Sequence, residues 1–235
     1  MKHGLASVIL ALLFAADLGA EQSATSVASA LPAQERFVYA RTIGDKLDRI
    51  EVVSRLVASK GQSWYELTSH SAEQDILLRL DPATLLASYA EVTNRGKDAT
   101  LKRSTTILEN KAPTGPDEIS VSVMESLVYT LRVFPWGLRQ KARIVFLSTS
   151  AAGNFDFDLS VTGKETIPVG GKGIECWKAQ LGLAGIFGAF FGKSSLWYST
   201  AFPHYLVKSE SASAGPGSPM SVLTLESYSS ESAAD

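Results

Sequence analysis

From Glu35 onward the chain breaks into short runs of alternating apolar and polar residues, each closed by turn residues, and this rhythm constrains the fold more than any other feature. RFVYART (36–42) precedes Gly44-Asp45, LDRIEVVSRLV (47–57) precedes Lys60-Gly61, and QSWYELTS (62–69) and EQDILLRL (73–80) follow. Successive side chains of a strand point to opposite faces, so Ile50, Val52 and Ser54 share one face and Glu51, Val53 and Arg55 the wetter other. Asp81-Pro82 reads as a single turn leading into a further strand, and Asn94-Arg95-Gly96-Lys97-Asp98 as the turn of a hairpin. The pattern resumes after residue 141 as ARIVFLST, NFDFDLSVTG, KETIPV, GIECWKAQL, SSLWYST, HYLVKSES and MSVLTLESY, divided by Gly153, Gly163, Gly170-Gly171, Gly192 and the GPGSP segment. Roughly a dozen strands at this spacing suit an antiparallel all-β fold.

One stretch departs from that period. Met124, Leu127, Val128 and Leu131 stand at i, i+3, i+4 and i+7, with Pro116-Asp117 as a start and Phe134-Pro135-Trp136-Gly137 as a stop. This spacing predicts one amphipathic helix within residues 117–133, its four apolar side chains facing a sheet. The fold class expected is mainly β: a large curved antiparallel sheet wrapping one principal helix. Two separate domains are the alternative.

The first residues carry Lys2 and His3, an apolar stretch from Leu5 to Ala16, and small residues ending in Gly19-Ala20. That is a secretory signal pattern, cut short of a membrane span by Asp17, with cleavage expected after Ala20 and a periplasmic destination. The organisation expected is a signal peptide over 1–20, a flexible leader over 21–34, one β-rich domain over 35–230 and a disordered tail over 231–235.

Lys+Arg 22 against Asp+Glu 24 gives a net charge of -2, which offers no electrostatic grip on a phosphate backbone, so no nucleic-acid partner is expected. The single Cys176 excludes an internal disulfide and a cysteine-rich zinc site. No serine lies in G-x-S-x-G, and neither His70 nor His204 belongs to a metal-binding motif, so no catalytic residue, metal or cofactor is assigned. Asp156 and Asp158 lie two apart in a strand pattern and read as a solvated face. Gly170-Gly171-Lys172-Gly173 lacks the phosphate-loop spacing and reads as a hairpin.

GLAGIFGAFFG, from Gly182 to Gly192, is uncharged and sets Ile186, Phe187, Phe190 and Phe191 among glycines. A flexible apolar loop of this kind is able to cover a cavity mouth, touch a lipid surface or dock on a partner; folding over its own core is the plainer alternative. With Trp136, Trp177 and Trp197 these residues form the candidate ligand-binding set.

LRVFPWGL, VTGKETIPVGGKGIECWKAQL, KSSLWYSTAFPHYLVKSES, GPGSP and LTLESY together resemble an uncharacterised family of exported bacterial proteins related to the LolA- and VioE-like half-barrels. The resemblance covers about 110 residues of the C-terminal half, Trp197 and Pro203 included, whereas His204 and the 182–192 insertion depart from the pattern. It implies a strongly curved antiparallel sheet around a helix, able to enclose an apolar cavity. The function expected is a non-catalytic exported protein holding a lipid or other hydrophobic molecule on the concave face. A cell-envelope scaffold with a self-filled core, acting on a protein or a membrane surface, is the alternative, and an enzyme the third.

Overall fold

The computed structural model describes residues 31–95, 101–107, 115, 117–147, 156–185, 192–212 and 217–231. The expected signal peptide, most of the leader, and Ile186, Phe187, Phe190 and Phe191 lie outside these residues.

The N-terminal strands are β1 (Gln34–Ile43), β2 (Lys46–Ser59), β3 (Gln62–His70), β4 (Gln74–Leu80), β5 (Ala87–Arg95) and β6 (Leu101–Ile107). They form a meander in which each strand pairs antiparallel with the next. Short turns make this possible. Lys60-Gly61 and Gly170-Gly171 each place two successive residues at positive φ (52° and 77°, 55° and 80°), the backbone twist that suits a two-residue hairpin. At Asp81 the carboxylate accepts from the N–H groups of Ala83 and Thr84, both at 2.9 Å, so this stretch closes as a turn and not as a helix.

The C-terminal strands are β7 (Glu118–Val121), β8 (Lys141–Phe146), β9 (Phe157–Val169), β10 (Lys172–Leu183), β11 (Ser194–Ser199), β12 (Leu206–Ala212) and β13 (Met220–Glu231). From β8 to β13 the pairing is again antiparallel between neighbours in sequence. All thirteen strands make one open curved sheet in the order β6-β5-β4-β3-β2-β1-β13-β12-β11-β10-β9-β8-β7. The two halves join where β1 pairs with β13, from Gln34 opposite Glu231 to Ile43 opposite Ser221.

The one parallel pair among the described residues, β7 with β8, explains the helix. Parallel neighbours cannot be joined by a tight turn, so the chain must cross over one face of the sheet between them. Residues 124–133 make that crossing as α1 (Leu127–Thr130) flanked by single tighter turns, Met124–Ser126 and Leu131–Val133. Leu127 and Leu131 are buried against Val121, Ile144, Leu159, Ala179 and Tyr198, each side chain contributing about 1.5–3 kcal/mol when fully buried. A second core cluster, with Phe37, Val52, Leu67, Leu78 and Leu80, fills the concavity of the N-terminal strands.

The structure corrects several sequence expectations. The helix does not fill 117–133: Glu118–Val121 is strand, because Ile119 and Val121 gain a parallel partner in β8. Met124 is not on the buried stripe but 53% exposed, since it lies in the first tight turn, before the α-helical period begins. The leader is not flexible to residue 34: Tyr65 donates to the carbonyl of Leu31, Leu56 to that of Ala33, and Gln34 opens β1. Glu231 is likewise no tail residue but the strand partner of Gln34. Gly163 does not separate two strands. It sits inside β9 beside a bulge that lets the long β9–β10 hairpin bend.

Candidate functional site

The helical segment is fixed on the concave face by a buried ion pair. Glu35 and Arg132 have side chains 1% and 4% exposed. The Arg132 guanidinium donates to both carboxylate oxygens, at 2.7 and 2.9 Å, and through Nε to the carbonyl of His204 at 2.9 Å. Ser54 and Tyr228 donate to the same carboxylate at 3.2 and 2.9 Å. Burial draws the Arg132 pKa down, but the hydrogen bonds and charge of Glu35 outweigh it and leave the guanidinium above its ordinary value. Burial pushes the Tyr228 phenol up to about 12, so it remains a donor. The clamp thus ties the end of the helical segment to β1, β2, β13 and the turn before β12. Strand alternation carries the signal for it: Glu35 shares a face with Phe37 and Tyr39.

Two further bonds hold the helical segment on the other flank, from the Tyr198 hydroxyl to the carbonyl of Val128 at 2.9 Å and from Trp136 Nε1 to that of Leu131 at 3.0 Å. Fixed in this way, the first turns stand off the sheet and leave a cavity of about 160 Å³ beneath them. Its floor is Tyr39, Ile50, Val52, Leu67 and Ile76 from β1 to β4, with Leu206 and Leu223 from β12 and β13. Val128 and Tyr129 form the roof, and Ser69 and Glu125 complete the lining. The surface is mostly apolar, which favours an apolar occupant over water. Sequence reading missed these residues, because strands far apart in the chain supply them.

The structure does not gather the expected tryptophans here. Trp136 stacks on Tyr198 with ring centroids 4.8 Å apart and meets Phe134 edge-on. Trp177 is half-buried against Gly137, whose φ of +84° and 2.9 Å clearance to the indole leave no room for a side chain. Trp197 points to the opposite side of β11 from Tyr198, with the ammonium groups of Lys178 and Lys208 4.9 and 4.8 Å from its ring centre. None of the three lines the cavity.

The other sequence candidates are accounted for singly. Asp156 and Asp158 face Arg143 at 3.9 and 3.6 Å on a solvated surface. Cys176 is fully buried, and burial pushes its thiol up to about 12, far from a reactive thiolate. His70 is paired with Asp75 at 3.0 Å on the surface. His204 is part-buried, which lowers its pKa, and donates to the Ser199 carbonyl at 2.8 Å. Among the described residues no three His, Cys, Asp or Glu side chains come together to hold a metal ion, and no helix is long and apolar enough to cross a membrane.

Fold and site define a class: an open antiparallel half-barrel that holds a helical crossover against its concave face and keeps a small apolar cavity beside it. Solved structures similar to the chain include a DUF1329 family protein from Desulfovibrio piger, at 9% identity and a TM-score of 0.30, covering 91% of this chain and 94% of that one. The hypothetical lipoprotein YmcC from Escherichia coli is 14% identical with a TM-score of 0.35, covering 86% and 89%. A LolA superfamily protein from Nitrosomonas europaea is 12% identical with a TM-score of 0.21, covering 91% and 94%. No family model and no curated protein matches the sequence.

Proposed function

We propose that this is an exported, non-catalytic protein that binds a small hydrophobic molecule between the helical segment and the concave face. The observation that carries the reading is the cavity lined by Ile50, Val52, Leu67, Ile76, Val128 and Leu223. Apolar surface left uncovered beside a clamped helix forgoes burial that would stabilise the fold, which favours a ligand that covers it. Its volume sets the scale: an apolar cavity of about 150 Å³ accepts a benzene-sized guest. The occupant is therefore a single ring or a short chain, or the end of a longer chain that leaves through the mouth. Export rests on the signal pattern of residues 1–20, and a mature N-terminus near Glu21 by N-terminal sequencing is the check.

Methyl-resolved NMR with toluene as the probe tests the binding. Resonances of Ile50, Val52, Leu67, Ile76 and Leu223 should shift together and saturate, and a guest at 100 times its Kd should raise stability by about 2.7 kcal/mol. Leu223→Trp, which takes up part of the space, should weaken both effects. Unmoved methyls in the wild-type protein would reject the reading. The small size of the cavity favours a second one, in which helix and sheet largely fill the concave face and the protein serves as a cell-envelope scaffold. Native mass spectrometry of protein purified from the periplasm separates the two: a co-purifying small molecule supports the first and a stoichiometric protein the second.

A further inference from the structure

The polar groups of the cavity say more about its guest than the apolar ones do. Tyr129, Ser69 and Glu125 all line it, and among the described residues the Tyr129 hydroxyl, the Ser69 hydroxyl and the Glu125 carboxylate have no hydrogen-bond or ion-pair partner. Glu125 is the sole charged residue of the lining. The next rung of the sheet beyond Tyr39 and Ile50 is Arg41 opposite Asp48, with Leu223 of the lining opposite Arg41 on its other side. Asp48 and Glu73 already face the Arg41 guanidinium, both at its Nη2 and at 2.6 and 3.0 Å, while its buried Nε has no partner. Cavity and adjoining rung therefore carry two carboxylates, Glu125 and Asp48, and one guanidinium, to which Glu73 adds a third carboxylate from the turn before β4.

Resting on the ligand-binding reading above, we infer that the guest is a small amphiphile with a protonated amine head, an alkyl- or arylammonium ion. Its apolar body lies over Ile50, Val52 and Ile76, while its head meets the Glu125 carboxylate. An ammonium group has three N–H donors and no acceptor, and the three unpartnered groups each present acceptor oxygens. A carboxylate or phosphate head would instead meet the like charge of Glu125, and the guanidinium on the next rung, Arg41, already faces two carboxylates.

Three probes of equal chain length separate the possibilities: hexylammonium, hexanol and hexanoate, each titrated calorimetrically into the purified protein at pH 7 and low salt. Hexylammonium should bind about two- to fivefold more tightly than hexanol, as an ion pair at an exposed carboxylate allows, and hexanoate should bind most weakly. Glu125→Gln should remove the preference for the amine, bringing hexylammonium affinity to that of hexanol in the same variant. Because Glu125 is solvent-exposed, this variant should keep the wild-type melting temperature. Hexanol and hexanoate binding as well as the amine, or a ranking unchanged in Glu125→Gln, would overturn the inference and leave the hydrophobic site standing. If none of the three binds and toluene also fails to move the methyl resonances, the ligand-binding reading falls and this inference with it.

Discussion

Replacing Arg132 with methionine keeps most of the side chain's length and removes the one cation that faces Glu35. In the wild-type protein that carboxylate accepts two bonds from the guanidinium and one each from Ser54 and Tyr228. The variant keeps the two neutral donors and strands a charge that is 1% exposed. Breaking a buried pair by removing one partner costs about 3–5 kcal/mol, because desolvation of the remaining ion is no longer offset. Domain stabilities are about 5–15 kcal/mol, so the variant should lose a large share of the total. Urea unfolding at pH 7 reads this directly: with m near about 2–3 kcal/mol/M, the midpoint should fall by about 1–2.5 M at constant m. The double variant Glu35→Leu/Arg132→Met should recover most of the loss, since a buried pair replaced by apolar groups is often neutral or stabilising. The reasoning fails if Arg132→Met unfolds within about 0.5 kcal/mol of wild type, the range expected of a surface substitution. It fails equally if the double variant is no better than the single one.

The helical stripe should be asymmetric: Leu131→Ala, at a fully buried position, should cost about 2–5 kcal/mol, whereas Met124→Ala, on the exposed first turn, should stay within about 0.5 kcal/mol; thermal melts distinguish the two. His204 should make the protein acid-sensitive. Its folded pKa lies below the ordinary 6.5, so as pH falls below 6.5 the unfolded chain binds a proton that the folded one refuses, and stability declines until the folded pKa is passed. Urea midpoints at pH 7.5 and 5.5 should therefore differ less in His204→Gln than in wild type, and an equal difference would refute the assignment.

Strand periods were readable because they are local. The alternation in 47–57 and the glycines of the 170–171 turn constrain the backbone wherever the partner strand lies. The start of the helix was not readable. Residues 118–121 become strand only because β8, some twenty residues on, offers a parallel edge, and no pattern within 117–133 encodes that edge. Arg132 was hidden for a related reason: a charged residue on a helix reads as solvated unless a partner is known, and Glu35 is 97 residues away. The parity of Glu35 with Phe37 and Tyr39 was the available hint. The rings of Trp136, Trp177 and Trp197 pack elsewhere, while the cavity is bounded mainly by aliphatic positions, with Tyr39 and Tyr129, on six strands and the helical segment.

The join between β1 and β13 has a bearing on how the chain reaches this structure. The pairs among β1 to β6 and among β7 to β12 can form before β13 appears, but this one waits for the last dozen residues of the sheet. Until then the two meanders are separate, each with an open inner edge, and the ring of donors around Glu35 lacks Tyr228. Pairings that close so long a loop are slow to nucleate, because much of the chain's freedom is lost before any contact rewards it. The unjoined halves are thus the species most open to mispairing and to proteases. Arrival of β13 beside β1, and not the collapse of either half, is the event that commits the polypeptide to its native form.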